Sequence, residues 1–176
     1  ISINYLGSKI KKYLEKRKNL GVKIKFIREK KFLGTAGSLS ITKLDKLAFP
    51  IILTNSDLIS NINYKTLLDF HIKNKADLTI CVRNQIFEMP YGEICLEGKK
   101  VSKIIEKPIS NSIVNAGVYV LNKKIIKLTK PNKHLMMNDL INTSIKRNCK
   151  ILSFPIYENW IDVGNKDQLL KAKNLS

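Results

Sequence analysis

A chain of 176 residues with 44% hydrophobic, 26% charged and 7% aromatic side chains has the make-up of one soluble domain, long enough to bury a core without staples. Its three cysteines, Cys81, Cys95 and Cys149, follow no metal-ligand spacing, no apolar run approaches a membrane span of about 18–20 residues, and the N-terminus has no signal-peptide layout. Disulfide miniprotein, zinc finger and membrane protein are excluded, and a reducing, cytoplasmic compartment is expected.

The net charge of +18 raises nucleic acid as a partner. Of the basic residues, however, 28 are Lys and only four are Arg (Arg17, Arg28, Arg83, Arg147). Base readers lean on the planar Arg fork and interleave it with aromatics. Here the lysines spread along the chain beside 25 Ile and 17 Asn, a drift in composition carried on solvated faces. No specific nucleic-acid partner is expected, although the charge still attracts phosphorylated small molecules.

In chain order, Ser2–Asn4 reads as extended and Leu6–Lys18 as a helix with the stripe Leu6, Ile10, Tyr13 and Leu14. Val22–Arg28 reads as a strand, and a helix after Gly37 is expected to reach Lys46. Pro50–Thr54 is a continuous apolar run, the pattern of a strand buried on both faces. Tyr64–Asn74 is helical, with Leu67, Leu68 and His71 on one face, and Asp77–Arg83 is a strand. Gly92–Leu96 and Val101–Ile105 flank Glu97-Gly98-Lys99 as a hairpin. Ile113–Leu121 is strand-like, Lys123–Leu128 and Asp139–Arg147 are helical, Ile151–Phe154 is a strand, and Lys166–Lys173 is a closing helix. Strands alternating with helices imply a single α/β domain over residues 1–176 with a largely parallel sheet, into which the hairpin inserts an antiparallel element.

In an open α/β sheet ligands sit at the carboxyl ends of the strands. Asn55-Ser56-Asp57 follows the buried strand, and Trp160-Ile161-Asp162-Val163-Gly164 lies near the C-terminal end. Asp57 and Asp162 are either turn caps or, brought together, a pair of carboxylates for Mg²⁺ between phosphates. Glu106-Lys107-Pro108 is an exposed strand end or, alternatively, a carboxylate for sugar hydroxyls beside an ammonium for a phosphate. Leu33-Gly34-Thr35-Ala36-Gly37, with Glu29 before it, is a turn and cap or a loop that lets a flat ring approach the backbone. Pro90-Tyr91-Gly92 and Asn115-Ala116-Gly117 are two further places of close approach. His71 reads as a packing residue, and no Ser/His/Asp or Cys/His set supports a protein nucleophile.

Taken in order, these motifs resemble the sugar-phosphate nucleotidyltransferases nearly end to end, from Asn4-Tyr5-Leu6 through Leu33–Leu39, Asn55–Asp57, Pro90–Gly92, Glu106–Pro108 and Asn115–Tyr119 to Trp160–Gly164. The resemblance implies a Rossmann-like nucleotide-diphospho-sugar transferase fold, a mostly parallel mixed sheet flanked by helices. It implies that Glu29, Leu33, Gly34, Thr35, Ala36 and Gly37 hold the nucleobase and that Asp57 and Asp162 bind Mg²⁺. Tyr91, Gly92, Glu106, Asn115, Gly117 and Trp160 would line the sugar site, and Lys107 would pair the sugar phosphate. Asp57, Lys107 and Asp162 would be the catalytic set for transfer from a nucleoside triphosphate to a sugar 1-phosphate.

The Leu-Gly-Thr-Ala-Gly form is most similar to the guanylyltransferase branch, including mannose-1-phosphate enzymes, so GTP is favoured over thymidine and uridine nucleotides. Pro90–Gly92 and Ile156–Trp160 resemble a subgroup whose catalytic domain follows paired regulatory CBS modules and serves surface-sugar synthesis. Two departures stand out. Ser56 takes the place of the family's usual Gly. The family's first strand, its GxGxR-type triphosphate loop and a later lysine are not found in residues 1–176; they are expected upstream of Ile1. These 176 residues alone are therefore expected to turn over little and to associate through the apolar surface that the absent strand leaves uncovered; for a homo-oligomer the hairpin and the terminal helix are the candidate contact surfaces. A non-catalytic nucleotide-sugar-binding or regulatory homologue is the alternative; the joint presence of Asp57, Glu106, Lys107 and Asp162 argues against it.

Overall fold

The computed structural model describes residues 1–17, 20–42, 47–164 and 168–170. The elements run β1 (Ser2–Ile3), α1 (Gly7–Glu15), β2 (Ile27–Arg28), a 3₁₀ turn at Gly37–Ile41, β3 (Ile51–Thr54), β4 (Leu58–Ser60), α2 (Tyr64–Lys73) and β5 (Leu78–Glu88). They continue with β6 (Glu93–Glu97), β7 (Lys100–Ile105), β8 (Ile109–Leu121), α3 (Lys123–Ile126), α4 (Met137–Lys146), β9 (Ile151–Pro155) and β10 (Trp160–Asp162). The largest sheet has the strand order β3-β8-β5-β9. β8 runs antiparallel to both of its neighbours, while β5 and β9 are parallel. Three strands thus point one way around a reversed β8, and the sheet is mixed.

β8 is the strand buried on both faces: Ala116 to Leu121 are all buried. Successive side chains of a strand point to opposite faces, so Tyr119 and Leu121 enter one core and Val118 and Val120 the other. The first core adds Ile125 and Ile126 of α3 and Met137 and Leu140 of α4. The second adds Ile62, Leu67 of α2, Cys81 and Ile156. Helices therefore cover both faces of the sheet. Truncating Leu121 to Ala removes a side chain with no exposed surface, a change that costs about 2–5 kcal/mol in a packed core.

The expectation that Pro50–Thr54 is buried on both faces is corrected here. β3 is an edge strand whose residues alternate between half-buried and exposed, because β8 covers only one of its sides. The strand expected over 22–28 shrinks to Ile27–Arg28, since its ladder partner β1 has only two residues. In α1 the apolar stripe is left open to solvent, with Leu6, Ile10 and Tyr13 at 41–56% exposure. After Gly37 the chain forms a 3₁₀ turn to Ile41; residues 43–46 of the expected helix lie outside the described residues. Of the closing helix, 168–170 are helical, and its remaining positions 166, 167 and 171–173 lie outside the described residues.

His71 is a packing residue, as its place on the apolar face suggests. It is 1% exposed, and its Nδ1 lies 2.8 Å from the Thr79 hydroxyl, joining α2 to β5. All three cysteines are free; burial pushes the Cys81 thiol up to about 12.

Candidate active site

The loop Leu33–Gly37 is held by a clasp from a segment about a hundred residues later. Leu135 N–H donates to the Leu33 carbonyl at 2.8 Å, and Ala36 N–H donates to the Leu135 carbonyl at 3.0 Å. Met137 N–H donates to the Thr35 hydroxyl at 2.8 Å. Gly34 is required twice over: its φ is +82°, and a Cβ there would lie 2.5 Å from the Leu135 carbonyl oxygen. Glu29 fixes the start of the loop, with one carboxylate oxygen accepting from Ser2 Oγ and the other from Leu33 N–H at 3.2 Å.

Beyond the C-terminal end of β3, Asn55 N–H donates to the Gly117 carbonyl at 2.9 Å. Gly117 has φ +72°, and a Cβ there would come within 2.8 Å of Asn55 Nδ2. Asn115 is braced by its own strand: its Oδ1 accepts from Gly117 N–H at 2.9 Å and its Nδ2 donates to Tyr119 Oη at 2.8 Å. Burial pushes the Tyr119 phenol above its ordinary value, against the pull of the Asn115 amide. Thr35, Asn55, Asn115, Gly117 and Tyr119 share a cavity of about 240 Å³ with Met136, Met137 and Asn138.

Next to it, β4 and β10 pair antiparallel with Leu58 opposite Asp162, and Val163 N–H donates to the Asp57 carbonyl at 2.8 Å. Two segments from opposite halves of the chain thereby bring the backbone of Asp57 against that of Val163, the residue after Asp162. Trp160 locks this pair to the sheet: its Nε1–H donates to the Ala116 carbonyl at 2.8 Å, and its ring packs on the second core. Among the described residues no cluster of three or more His, Cys, Asp and Glu side chains could hold a metal ion, so any cation at the two aspartates would complete its shell with oxygens from outside this set.

The remaining expected residues form a second group at the far end of the β5–β8 ribbon. Gly92 sits against Glu106, whose Oε2 would lie 3.2 Å from a Cβ at that position. Lys107 has φ +44°, a left-handed conformation that costs a non-glycine residue about 1–2 kcal/mol. With Glu88, Met89, Pro90 and Ile109 it lines an open cavity of about 480 Å³. Tyr91 is 75% exposed, and among the described residues neither Glu106 nor Lys107 makes an ion pair. From Ile109 to Asn115 is six residues of strand, about 20 Å if fully extended. A register shift between Ile80 and Val82, opposite Ala116–Val118 of β8, places a bulge at the first group, and the ladder from there to Glu88 and Ile109 is regular.

Asn55, Tyr119, Met136, Met137 and Asn138 line the first cavity without being among the expected site residues. Asn55 and Tyr119 lie inside motifs that sequence singles out. Met136–Asn138 carry no local signal, since they enter the site only through the clasp on Leu33–Gly37.

Small residues at a strand end, a polar cavity lined by them and two acids nearby form a candidate ligand site where an open α/β sheet carries one, at the ends of its strands. A family model described as Nucleotidyl transferase matches residues 1–176. The chain belongs to that family. It is 31% identical over 190 residues to a mannose-1-phosphate guanyltransferase of Yarrowia lipolytica, covering 98% of this chain and 49% of that one. It is 30% identical to the catalytic subunit beta of a mannose-1-phosphate guanylyltransferase of Dictyostelium discoideum, covering 99% of this chain and 50% of the other. The chain thus spans about half the length of these curated relatives. Among solved structures, HddC from Yersinia pseudotuberculosis superposes with a TM-score of 0.75 at 25% identity, over 99% of this chain and 77% of that one. The Rossmann-like fold is shared with these nucleotidyltransferases. No helix among the described residues is long and apolar enough to cross a membrane.

Proposed function

We propose that this chain is the catalytic part of a sugar-1-phosphate nucleotidyltransferase, which joins a nucleoside triphosphate to a sugar 1-phosphate and releases pyrophosphate. The observation that carries the reading is the pairing of β4 with β10, which brings the backbone at Asp57 against the residue that follows Asp162. Two carboxylates are a donor set that Mg²⁺ accepts when phosphate oxygens and water complete its shell, so these residues fit the ion. Bound there, it supplies charge neutralisation for the phosphates.

The chain's own groups do the positioning. Leu33–Gly37 offers its backbone to the nucleobase, and Glu29 keeps further lone pairs on both oxygens for ring N–H groups. Asn115, Gly117 and Asn138 face the sugar, Trp160 holds the acid-bearing strands, and Tyr91, Gly92 and Glu106 close on sugar hydroxyls from the ribbon end. Lys107 pairs the sugar phosphate, whose oxygen attacks the α-phosphorus in line while pyrophosphate leaves. Alignment and charge stabilisation carry such a transfer, and no protein nucleophile is called for.

GTP is the favoured nucleotide. Two of the relatives named above are guanyl- or guanylyltransferases by name, and a structure of the Yersinia protein is described as complexed with GMP-PN. On this reading the protein supplies nucleotide sugars for surface polysaccharide in the cytoplasm, and residues 1–176 alone, which contain no glycine-rich arginine loop, turn over little. The test is pyrophosphate release by the product of the complete coding sequence, with Mg²⁺, a panel of sugar 1-phosphates, and GTP against UTP, dTTP and CTP. Release with GTP that stops on chelation and in Asp57→Asn supports the reading. Nucleotide-sugar binding without release under any combination overturns it in favour of a binding homologue.

A further inference from the structure

The loop Leu33–Gly37 borders two cavities. Thr35 lines the one already described, with Asn55 and Asn115. Leu33 lines a second, of about 630 Å³, and the two share no residue. Ile27, Arg28, Lys30, Lys31, Ile41 and Asn132 complete the second, whose size is that of a small-molecule site. Its chemistry is divided. Ile27, Leu33 and Ile41 supply aliphatic surface, while Arg28, Lys30 and Lys31 supply three cations. No acid lines it, and among the described residues none of the three cations makes an ion pair. The acid between them in sequence, Glu29, is engaged elsewhere, accepting from Ser2 Oγ and from Leu33 N–H.

Three unpaired cations beside aliphatic side chains select an anion with an apolar body. Phosphate oxygens take the cations in charge-assisted hydrogen bonds, Arg28 as a planar fork. A nucleobase lies flat on aliphatic side chains and offers its edge to the Asn132 amide, which both donates and accepts. A sugar phosphate would instead set hydroxyls against Ile27 and Ile41. We propose that this cavity is a second nucleotide site, taking a nucleoside phosphate apart from the one at the Asn55–Asn115 site. Its position lets it act on the clasp. Leu33 belongs to the loop, and Asn132 lies just before the segment that holds the loop. Those two stretches also meet through the Phe32 and His134 rings, whose centroids are 5.6 Å apart, and at Gly37, where a Cβ would lie 3.4 Å from the Lys133 carbonyl oxygen. A ligand that touches both stretches favours the closed clasp, and so the loop shape that meets the first nucleobase. The two nucleotides then bind with positive coupling. The effect on turnover rests on the function proposed above; the existence of the site does not.

Equilibrium dialysis against labelled GMP counts the sites on the product of the complete coding sequence. Arg28→Ser with Lys31→Ser is expected to bind one GMP fewer per chain than the parent, with Tm unchanged. Lys30→Ser alone should weaken that one GMP about tenfold or more, which keeps the test open if the double variant folds poorly. Lys99→Ser with Lys100→Ser, the same loss of charge on the hairpin, should keep the parent's number. In pyrophosphate release at GTP below KM, GMP should raise the parent's rate about twofold or more, and should only inhibit the double variant. Equal GMP numbers in the parent and the Arg28, Lys31 variant overturn the site whether or not the protein turns over. So does a loss that the hairpin lysines reproduce, which is net charge, or displacement of the extra GMP by inorganic phosphate as readily as by unlabelled GMP, which is an anion patch. A rate that GMP lowers alike in parent and variant overturns the coupling.

Discussion

Val163 N–H donates to the Asp57 carbonyl at 2.8 Å, so the backbone that carries one acid of the site is hydrogen-bonded to the residue following the other. The two carboxylates are positioned by main chain rather than by their own side-chain contacts. Isosteric neutralisation should therefore leave the fold intact. Asp57→Asn and Asp162→Asn are each expected to lower pyrophosphate release about a hundredfold or more, because charge stabilisation by a bound cation is worth several kcal/mol. Thermal melts of the two variants should match the parent within a degree or two. A variant with full activity would remove its aspartate from the catalytic set.

Gly117 combines φ +72° with a neighbour, Asn55 Nδ2, that would lie 2.8 Å from any Cβ. Gly117→Ala is expected to cost about 1–2 kcal/mol of stability from the left-handed backbone alone. It should also push Asn55 into the cavity it lines with Asn115. The readouts are the denaturant midpoint and KM for the sugar 1-phosphate, with KM rising more than kcat falls.

Lys107 sets a stability–activity trade in one residue. Its left-handed backbone, φ +44°, suits glycine, so Lys107→Gly should stabilise the fold by about 1 kcal/mol. The same change removes the cation assigned to the sugar phosphate and should raise KM for that substrate at least tenfold. Lys107→Arg keeps the charge and should recover part of the affinity without the gain in stability.

Acid stability should depend on His71. Burial holds its pKa below 6.5, against the opposing pull of Asn122 and Asp77, and its Nε2 has no hydrogen-bond partner. The imidazole is therefore neutral in the folded protein, whereas in the unfolded chain it takes a proton near pH 6.5. Stability is full above that pH and falls as pH drops through it toward the lowered folded value. Urea midpoints at pH 8, 6.5 and 5 should decline in the parent and decline less in His71→Gln. Asp77 acts in a separate window. Partial burial pushes its pKa up, but hydrogen bonds from Lys124 and Lys150 outweigh this and hold it below 3.8. Its contribution is present above pH 3.8 and is lost only as pH falls further.

Much of the site was legible in the sequence because its residues sit in short, compositionally unusual segments at strand ends. Leu33–Gly37, Asn55–Asp57 and Asn115–Gly117 are of this kind, and their glycines report backbone demands directly. The hairpin turn at Gly98, with φ +62°, was legible for the same reason. What escaped was pairing at long range. β4 and β10 have three residues each, too few for a periodic pattern, and become strands only by finding one another. Pro50–Thr54 read as doubly buried because an apolar run signals burial without saying how many sides are covered. In β8 the polar residues Ser110, Asn111 and Ser112 hid the first half of a strand that β5 defines by pairing. Met136–Asn138 belong to the site through the clasp, and no local pattern announces that.

That clasp also has a consequence for synthesis. The bond from Met137 N–H to the Thr35 hydroxyl spans 102 positions of sequence. At a ribosomal pace of 5–20 residues per second, roughly 5–20 s separate the appearance of the two ends. Through that interval the nascent polypeptide holds a small-residue loop with Glu29 at its start but without the clasp that closes it. The clasped shape of Leu33–Gly37 is thus barred from forming until the chain has been translated past Met137, with β5 to β8 already made.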